Sequence, residues 1–122
     1  MTTILLVDDD AHLREAAREI LAAEGFEVLD FGSAADAIVI LRTQQVALAV
    51  VDLDVALREG VDLAEAVCET PELDRTALIG VTFDVKAVDL ELLDLALQKP
   101  YVTSDLPRVI REVLAQVRRA AR

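Results

Sequence analysis

The chain has 122 residues, 54% of them hydrophobic, which suits a single folded domain over residues 1–122 and excludes a disordered chain. Its formal net charge of −11, from 23 acids against 12 bases, argues against direct binding of DNA or RNA, whose phosphates would be repelled. No apolar run is long enough to span a bilayer and no basic-then-apolar leader opens the chain, so neither a membrane nor secretion is expected; one cysteine, Cys68, suits a reducing cytoplasm.

In chain order, Ile4-Leu5-Leu6-Val7 forms an apolar run that ends on Asp8-Asp9-Asp10. Such a run suits a strand covered on both faces, as in a parallel sheet packed by helices. Asp10 is placed to cap the helix that follows. Its apolar stripe is Leu13, Ala16, Ala17, Ile20 and Leu21, with Arg14, Glu15, Arg18 and Glu19 expected outward and His12 facing solvent. Gly25 stops that helix. Glu27 to Phe31 reads as a second strand, and Ser33 caps a helix through Ala37, Ile38 and Leu41. Ala47 to Asp52 is the third strand, again an apolar run ending on an acid.

After Gly60, the residues Val61, Ala64, Val67 and Cys68 form a helical stripe that Thr70-Pro71 interrupts. Ala77 to Phe83 reads as a fourth strand with Thr82 at its end. The segment Asp84 to Asp94 fits a short helix only loosely. Leu95 to Gln98 is a fifth strand, stopped by Lys99-Pro100. The last helix has Ser104 as cap, Pro107 in its first turn, and Leu106, Val109, Ile110, Val113, Leu114 and Val117 on one face. From Thr103 onward five arginines face two acids, so this segment is +3 while the remainder carries −14; a solvated basic face is the simpler reading. Alternating strands and helices with right-handed crossovers give an α/β fold, a doubly wound five-stranded parallel sheet with helices on both faces.

Ligands of such sheets bind beyond the carboxyl ends of the strands. Asp8, Asp9, Asp52, Thr82 and Lys99 all fall there. Clustered carboxylates repel one another unless a cation joins them, and a hard, oxygen-ligated ion such as Mg2+ is the natural one. One carboxylate can be the nucleophile toward a phosphoryl group. A threonine hydroxyl and a lysine ammonium can then donate to the phosphoryl oxygens. Lys99 is one of two lysines beside ten arginines, which marks it where a compact ammonium is required. A nucleotide-binding P-loop is excluded, because no Gly-rich phosphate loop follows strand one.

With these residues in this order, the whole chain resembles the receiver domain of two-component response regulators. The resemblance implies a flavodoxin-like receiver fold, with Asp8 and Asp9 as the acidic pair and Asp52 as phosphoacceptor. Gly60 stands at the typical glycine eight positions later, and Thr82 and Lys99-Pro100 match the remaining marks. It also implies Mg2+ held by Asp8, Asp9, Asp52 and the backbone carbonyl of Asp54. The implied partners are a histidine kinase or phosphotransfer protein, a downstream protein, and in some cases a second copy of the chain. The implied catalysis is limited to the domain's own phosphotransfer and dephosphorylation.

The chain departs from the family in its switching parts. Val55-Ala56 stands where Met-Pro is usual, Phe83 where a small residue follows the threonine, and Ala96 where an aromatic precedes the lysine. The stretch from Thr82 to Lys99 is short, so the family's fourth helix, before strand five, is expected to be short or displaced. Asp54 and Asp84 occupy positions that tune phosphorylation rates in the family. The intact acids, Thr82 and Lys99 favour a phosphorylatable receiver; Phe83, Ala96 and the shortened segment favour a receiver-like interaction module acting without phosphorylation.

Overall fold

Alternation along the apolar runs decides the layering of the molecule. The computed structural model describes residues 1–59, 76–88 and 93–120. Strands β1 (Thr3–Val7), β2 (Glu27–Phe31), β3 (Leu48–Asp52), β4 (Ala77–Thr82) and β5 (Leu95–Gln98) form one parallel sheet in the order β2-β1-β3-β4-β5. Successive side chains point to opposite faces. Leu5, Val7, Ala49, Val51 and Leu78 therefore pack on one side, against Ala34, Ala37 and Leu41 of α2 (Ala34–Thr43) and Ala56 of α3 (Leu53–Arg58). Ile4, Leu6, Leu48, Val50, Ile79 and Val81 pack on the other, against α1 (Ala11–Ala23) and α4 (Leu106–Ala120). Both faces are covered, which is why these strands read as unbroken apolar runs rather than alternating ones. Each fully buried Leu, Ile or Val contributes about 1.5–3 kcal/mol.

Local signals fix most element ends. Asp10 accepts hydrogen bonds from the His12 and Leu13 N–H groups and caps α1, with His12 exposed beside it. Gly25 ends that helix with φ of 91°, a left-handed conformation that costs a glycine little, while Gly25 N and Phe26 N donate back to Ala22 O and Leu21 O. Ser33 caps α2 as expected. Arg14 is the exception on α1. It is half-buried rather than outward, pairing with Asp30 at 3.1 Å and donating to the Asp8 carbonyl at 2.7 Å.

Two segments, the start of α3 and the entry to α4, differ from the sequence expectation. A helix, α3, starts directly after β3 because the Asp52 side chain caps it, accepting from Asp54 N and Val55 N. Gly60, the stripe Val61, Ala64, Val67 and Cys68, and Thr70-Pro71 lie outside the described residues. Between β4 and β5 the chain forms the 3-10 turn Val85–Ala87, in keeping with a short or displaced helix there. Ser104 sits inside the 3-10 turn Thr103–Asp105, which has no side-chain cap, so α4 is entered through that turn. Its apolar face is as expected: Leu106, Val109, Ile110 and Val113 are buried. Side chains outside the strands crowd Gly80 of β4, where a Cβ would come within 2.7 Å of Leu53 Cδ1 in α3 and 2.8 Å of Leu93 Cδ1. Among the described residues no helix is long and apolar enough to cross a membrane.

Candidate functional site

The strand order reverses between β1 and β3, and the crevice outside the carboxyl ends there is where such sheets bind ligands. Val7 pairs in register with Val51, so the residues that follow, Asp8 and Asp52, emerge side by side. Carboxylate oxygens of Asp8, Asp9 and Asp52 lie within 4.8 Å of one another. Asp8 and Asp52 are 4% and 1% exposed, whereas Asp9 reaches solvent. A cleft of about 330 Å3 opens over the group, lined among others by Asp54, Arg58, Phe83 and Lys99.

Each acid has a distinct setting. Burial above all pushes the Asp8 carboxyl above its usual pKa, and the charges of Asp52 and Asp9 add to that push, against the Asp10 N–H bond and Lys99. Asp52 is held on both oxygens: Oδ1 accepts from Asp54 N at 3.0 Å and Val55 N at 3.3 Å, and Oδ2 meets Lys99 Nζ at 2.6 Å. Asp9 pairs with Arg58 across the cleft mouth. Crowded carboxylates, one of them pushed toward its protonated form, make a favourable place for a cation, and their hard oxygens suit Mg2+.

The donors gather on the neighbouring strand ends. Lys99 follows β5 and also lies 3.4 Å from Asp54 Oδ2. Burial opposes its charge, but Asp52 and then Asp54 outweigh it and raise the ammonium above its usual value. The Lys99–Pro100 bond is cis, and the ammonium lies 4.8 Å from the Phe83 ring centre. Thr82, buried at the end of β4, does not aim at Asp52. Its hydroxyl donates to Asp54 Oδ1 at 2.9 Å, and Phe83 N donates to Asp54 Oδ2 at 3.1 Å. Asp54 loses some hydration by burial, yet these two bonds and Lys99 hold its carboxyl below the usual range.

The fold brings the five residues singled out in the sequence, Asp8, Asp9, Asp52, Thr82 and Lys99, to one edge. Sequence reasoning missed the part played by three side chains. The Asp54 carboxylate, considered there for its carbonyl, its tuning position and as the alternative acceptor, gathers the donors. Arg58 was not singled out, although it faces the acidic pair. Gln98 spans the β4–β5 turn, with Nε2 donating to Phe83 O and to Lys99 O at 3.1 Å, and Oε1 accepting from Val85 N at 3.4 Å. The sequence carried one signal for the first two: both fall within six residues of Asp52, on the turn and helix that it caps. Asp84, expected beside the site, is exposed and caps the 3-10 turn through Lys86 N. Tyr101 lies at the cleft with a buried hydroxyl that has no hydrogen-bond partner among the described residues. Burial, with the charges of Asp8 and Asp52 behind it, pushes that phenol far above its usual pKa.

Comparison with known proteins gives the same outline. The family model of the response regulator receiver domain matches residues 4–111. The heme response regulator HssR of Staphylococcus saprophyticus is 32% identical over 117 residues, covering 93% of this chain and 52% of that protein. The chain thus spans about half the length of this curated relative. Among solved structures, a response regulator from Desulfuromonas acetoxidans superposes with a TM-score of 0.80 at 22% identity, covering 95% of this chain and 98% of the other. The response regulator TrrA of Thermotoga maritima, solved in complex with Mg2+ and BeF, gives 0.74 at 20% identity, covering 93% and 99%.

Proposed function

The chain belongs to the response regulator receiver domain family, and on that premise we propose that it accepts a phosphoryl group on Asp52 from a phosphohistidine. The observation that carries this reading is the setting of Asp52. It is buried among Asp8, Asp9 and Lys99 at the switch point of the sheet, where nucleophile, cation ligands and ammonium meet. A carboxylate oxygen of Asp52 attacks phosphorus, the P–N bond to the donor imidazole breaks, and the imidazole leaves with its electron pair and takes up a proton. Water later cleaves the acyl phosphate and restores the carboxylate.

Asp8, Asp9, Asp52 and the Asp54 carbonyl would hold Mg2+. When bound, the ion neutralises the charge shared between the acids and the phosphoryl oxygens. The ion found with the Thermotoga relative supports this assignment by likeness only. Lys99 orients Asp52 and donates to the transferred group, and the Thr82 hydroxyl is the nearest further donor. The reading makes the chain a cytoplasmic signalling module whose partners are a histidine kinase or phosphotransfer protein and a downstream protein, with residues 1–122 as one domain. Ala96 favours a second reading, in which the downstream partner binds regardless of phosphate.

The test is direct. With Mg2+ and a small phosphoryl donor, intact-mass measurement should find one phosphate added to the wild type. None should be added to Asp52→Asn, because the amide keeps the shape but is no nucleophile. Labelling of the Asn variant at the wild-type level would move the acceptor away from Asp52.

A further inference from the structure

Two donors beside Asp52, the Thr82 hydroxyl and the Phe83 N–H, are taken by a different carboxylate, and Lys99, bonded to Asp52 at 2.6 Å, reaches that carboxylate as well. Thr82 Oγ1 lies 2.9 Å from Asp54 Oδ1, Phe83 N lies 3.1 Å from Asp54 Oδ2, and Lys99 Nζ lies 3.4 Å from the same oxygen. Asp54 sits two residues past Asp52 in the first turn of α3, so the backbone that positions the nucleophile also positions this anion. Its side chain is only one-third exposed, at 33%.

These donors are limited in number. A threonine hydroxyl has one proton to give, and a backbone N–H has one. An incoming anion and the Asp54 carboxylate therefore exclude one another at Thr82 and Phe83. Lys99 differs, because an ammonium has three protons and already serves Asp52 and Asp54 together.

We propose that the Asp54 carboxylate is a resident competitor for the anion place of the site, so that a phosphoryl group, or any tetrahedral oxyanion, binds there only by displacing it from Thr82 and the Phe83 N–H. Asp54 is thus a specificity-determining residue. It lowers the affinity of every free anion by the same factor, which a group tethered covalently to Asp52 overcomes through its high effective concentration. The proposal rests on Asp52 being the phosphoryl acceptor.

The experiment is a calorimetric titration of the protein with beryllofluoride in excess Mg2+, for wild type, Asp54→Ala and Asp54→Asn. The Ala variant should bind about tenfold tighter, the effect of freeing one charge-assisted hydrogen bond. The Asn variant, neutral but still an acceptor, should fall between, and it stands in should the Ala variant not fold. A Thr82→Ala background separates competition from plain charge repulsion. There the gain from Asp54→Ala should shrink to about threefold or less, because a contested donor is gone and contacting residues are coupled. An undiminished gain in that background, or equal binding by wild type and both Asp54 variants, would overturn the proposal while leaving Asp52 as acceptor. Failure of every protein to bind would overturn both.

Discussion

Arg58 stands opposite the acids as a cation supplied by the chain itself. Its guanidinium pairs with Asp9, and that contact, with the charge of Asp9 behind it, raises its pKa. Any ion held by Asp9 must share that carboxylate with the Arg58 cation, which repels it. Both side chains are largely exposed, at 64% and 51%, so the pair is weak and screened by salt. Arg58→Ala should therefore tighten Mg2+ binding a few-fold at low ionic strength, with the gain fading in high salt. A metal titration at two salt concentrations checks this, and weaker binding by the Ala variant would show that Arg58 helps the site instead. At this scale the sequence was legible wherever a residue's place followed from a strand end. Asp8, Asp52, Thr82 and Lys99 are chained to the sheet edge by the residues before them. Arg58 meets Asp9 across 49 positions, and Asp54 meets Thr82 across 28, so those contacts exist only once the sheet has formed.

Elements were legible to the extent that one period governed them. The five strands and the helices α1, α2 and α4 each carry a clear apolar run or stripe, and their caps at Asp10, Ser33 and Gly25 are local signals. The start of α3 was hidden because Asp52 does two things at once. Read as a nucleophile, it was not read as the N-cap that begins a helix at Leu53. The end of α3 is fastened in a way no local pattern announces. Glu59 Oε1 accepts from Ser33 Oγ at 2.8 Å and Oε2 from Ala34 N at 2.7 Å, so it ties the β3–α3 segment to the start of α2. The Ala34 N–H foremost, with Ser33, lowers the Glu59 pKa below its ordinary 4.5. The sign follows: with a depressed folded value, the unfolded chain binds the proton more readily. This contribution is then present above pH 4.5 and is lost as pH falls through the folded value. Glu59→Gln should lower stability at neutral pH and flatten the acid limb below pH 4.5. Urea denaturation across the acid range reads both, and an unchanged acid limb would remove Glu59 from the account.

Across the whole molecule, the question is how far an event at Asp52 can travel. The face made by β4, β5 and α4 is continuous with the site through Thr82 and Lys99. In the family a ring before the lysine turns as the threonine moves. Here Ala96 stands in that place, paired in register with Gly80, so neither of these two positions offers a side chain that could turn. The turn after Thr82 is also fastened, because Gln98 bonds Phe83 O, Lys99 O and Val85 N at once. An equilibrium shifts only by the difference in interaction energy between its two states. Thr82 leaving Asp54 changes a local hydrogen bond, and the Ala96–Gly80 pair has no ring to carry that change further. Partner contact on this face should then rest on a standing surface. On α4, exposed Arg108 is paired for now with Glu112, and an acidic partner would replace that weak pair, whereas Arg111 turns to Glu24 at the end of α1. With Mg2+ and beryllofluoride bound, amide exchange should change at residues 52–55 and 82–84 and stay within a few-fold elsewhere over 85–88 and 93–117. Ala96→Tyr would restore a ring with somewhere to turn, and exchange over β5 and α4 should then respond to the ligand. Broad protection across β5 and α4 in the wild type would mean that a switch other than a rotating ring carries the signal.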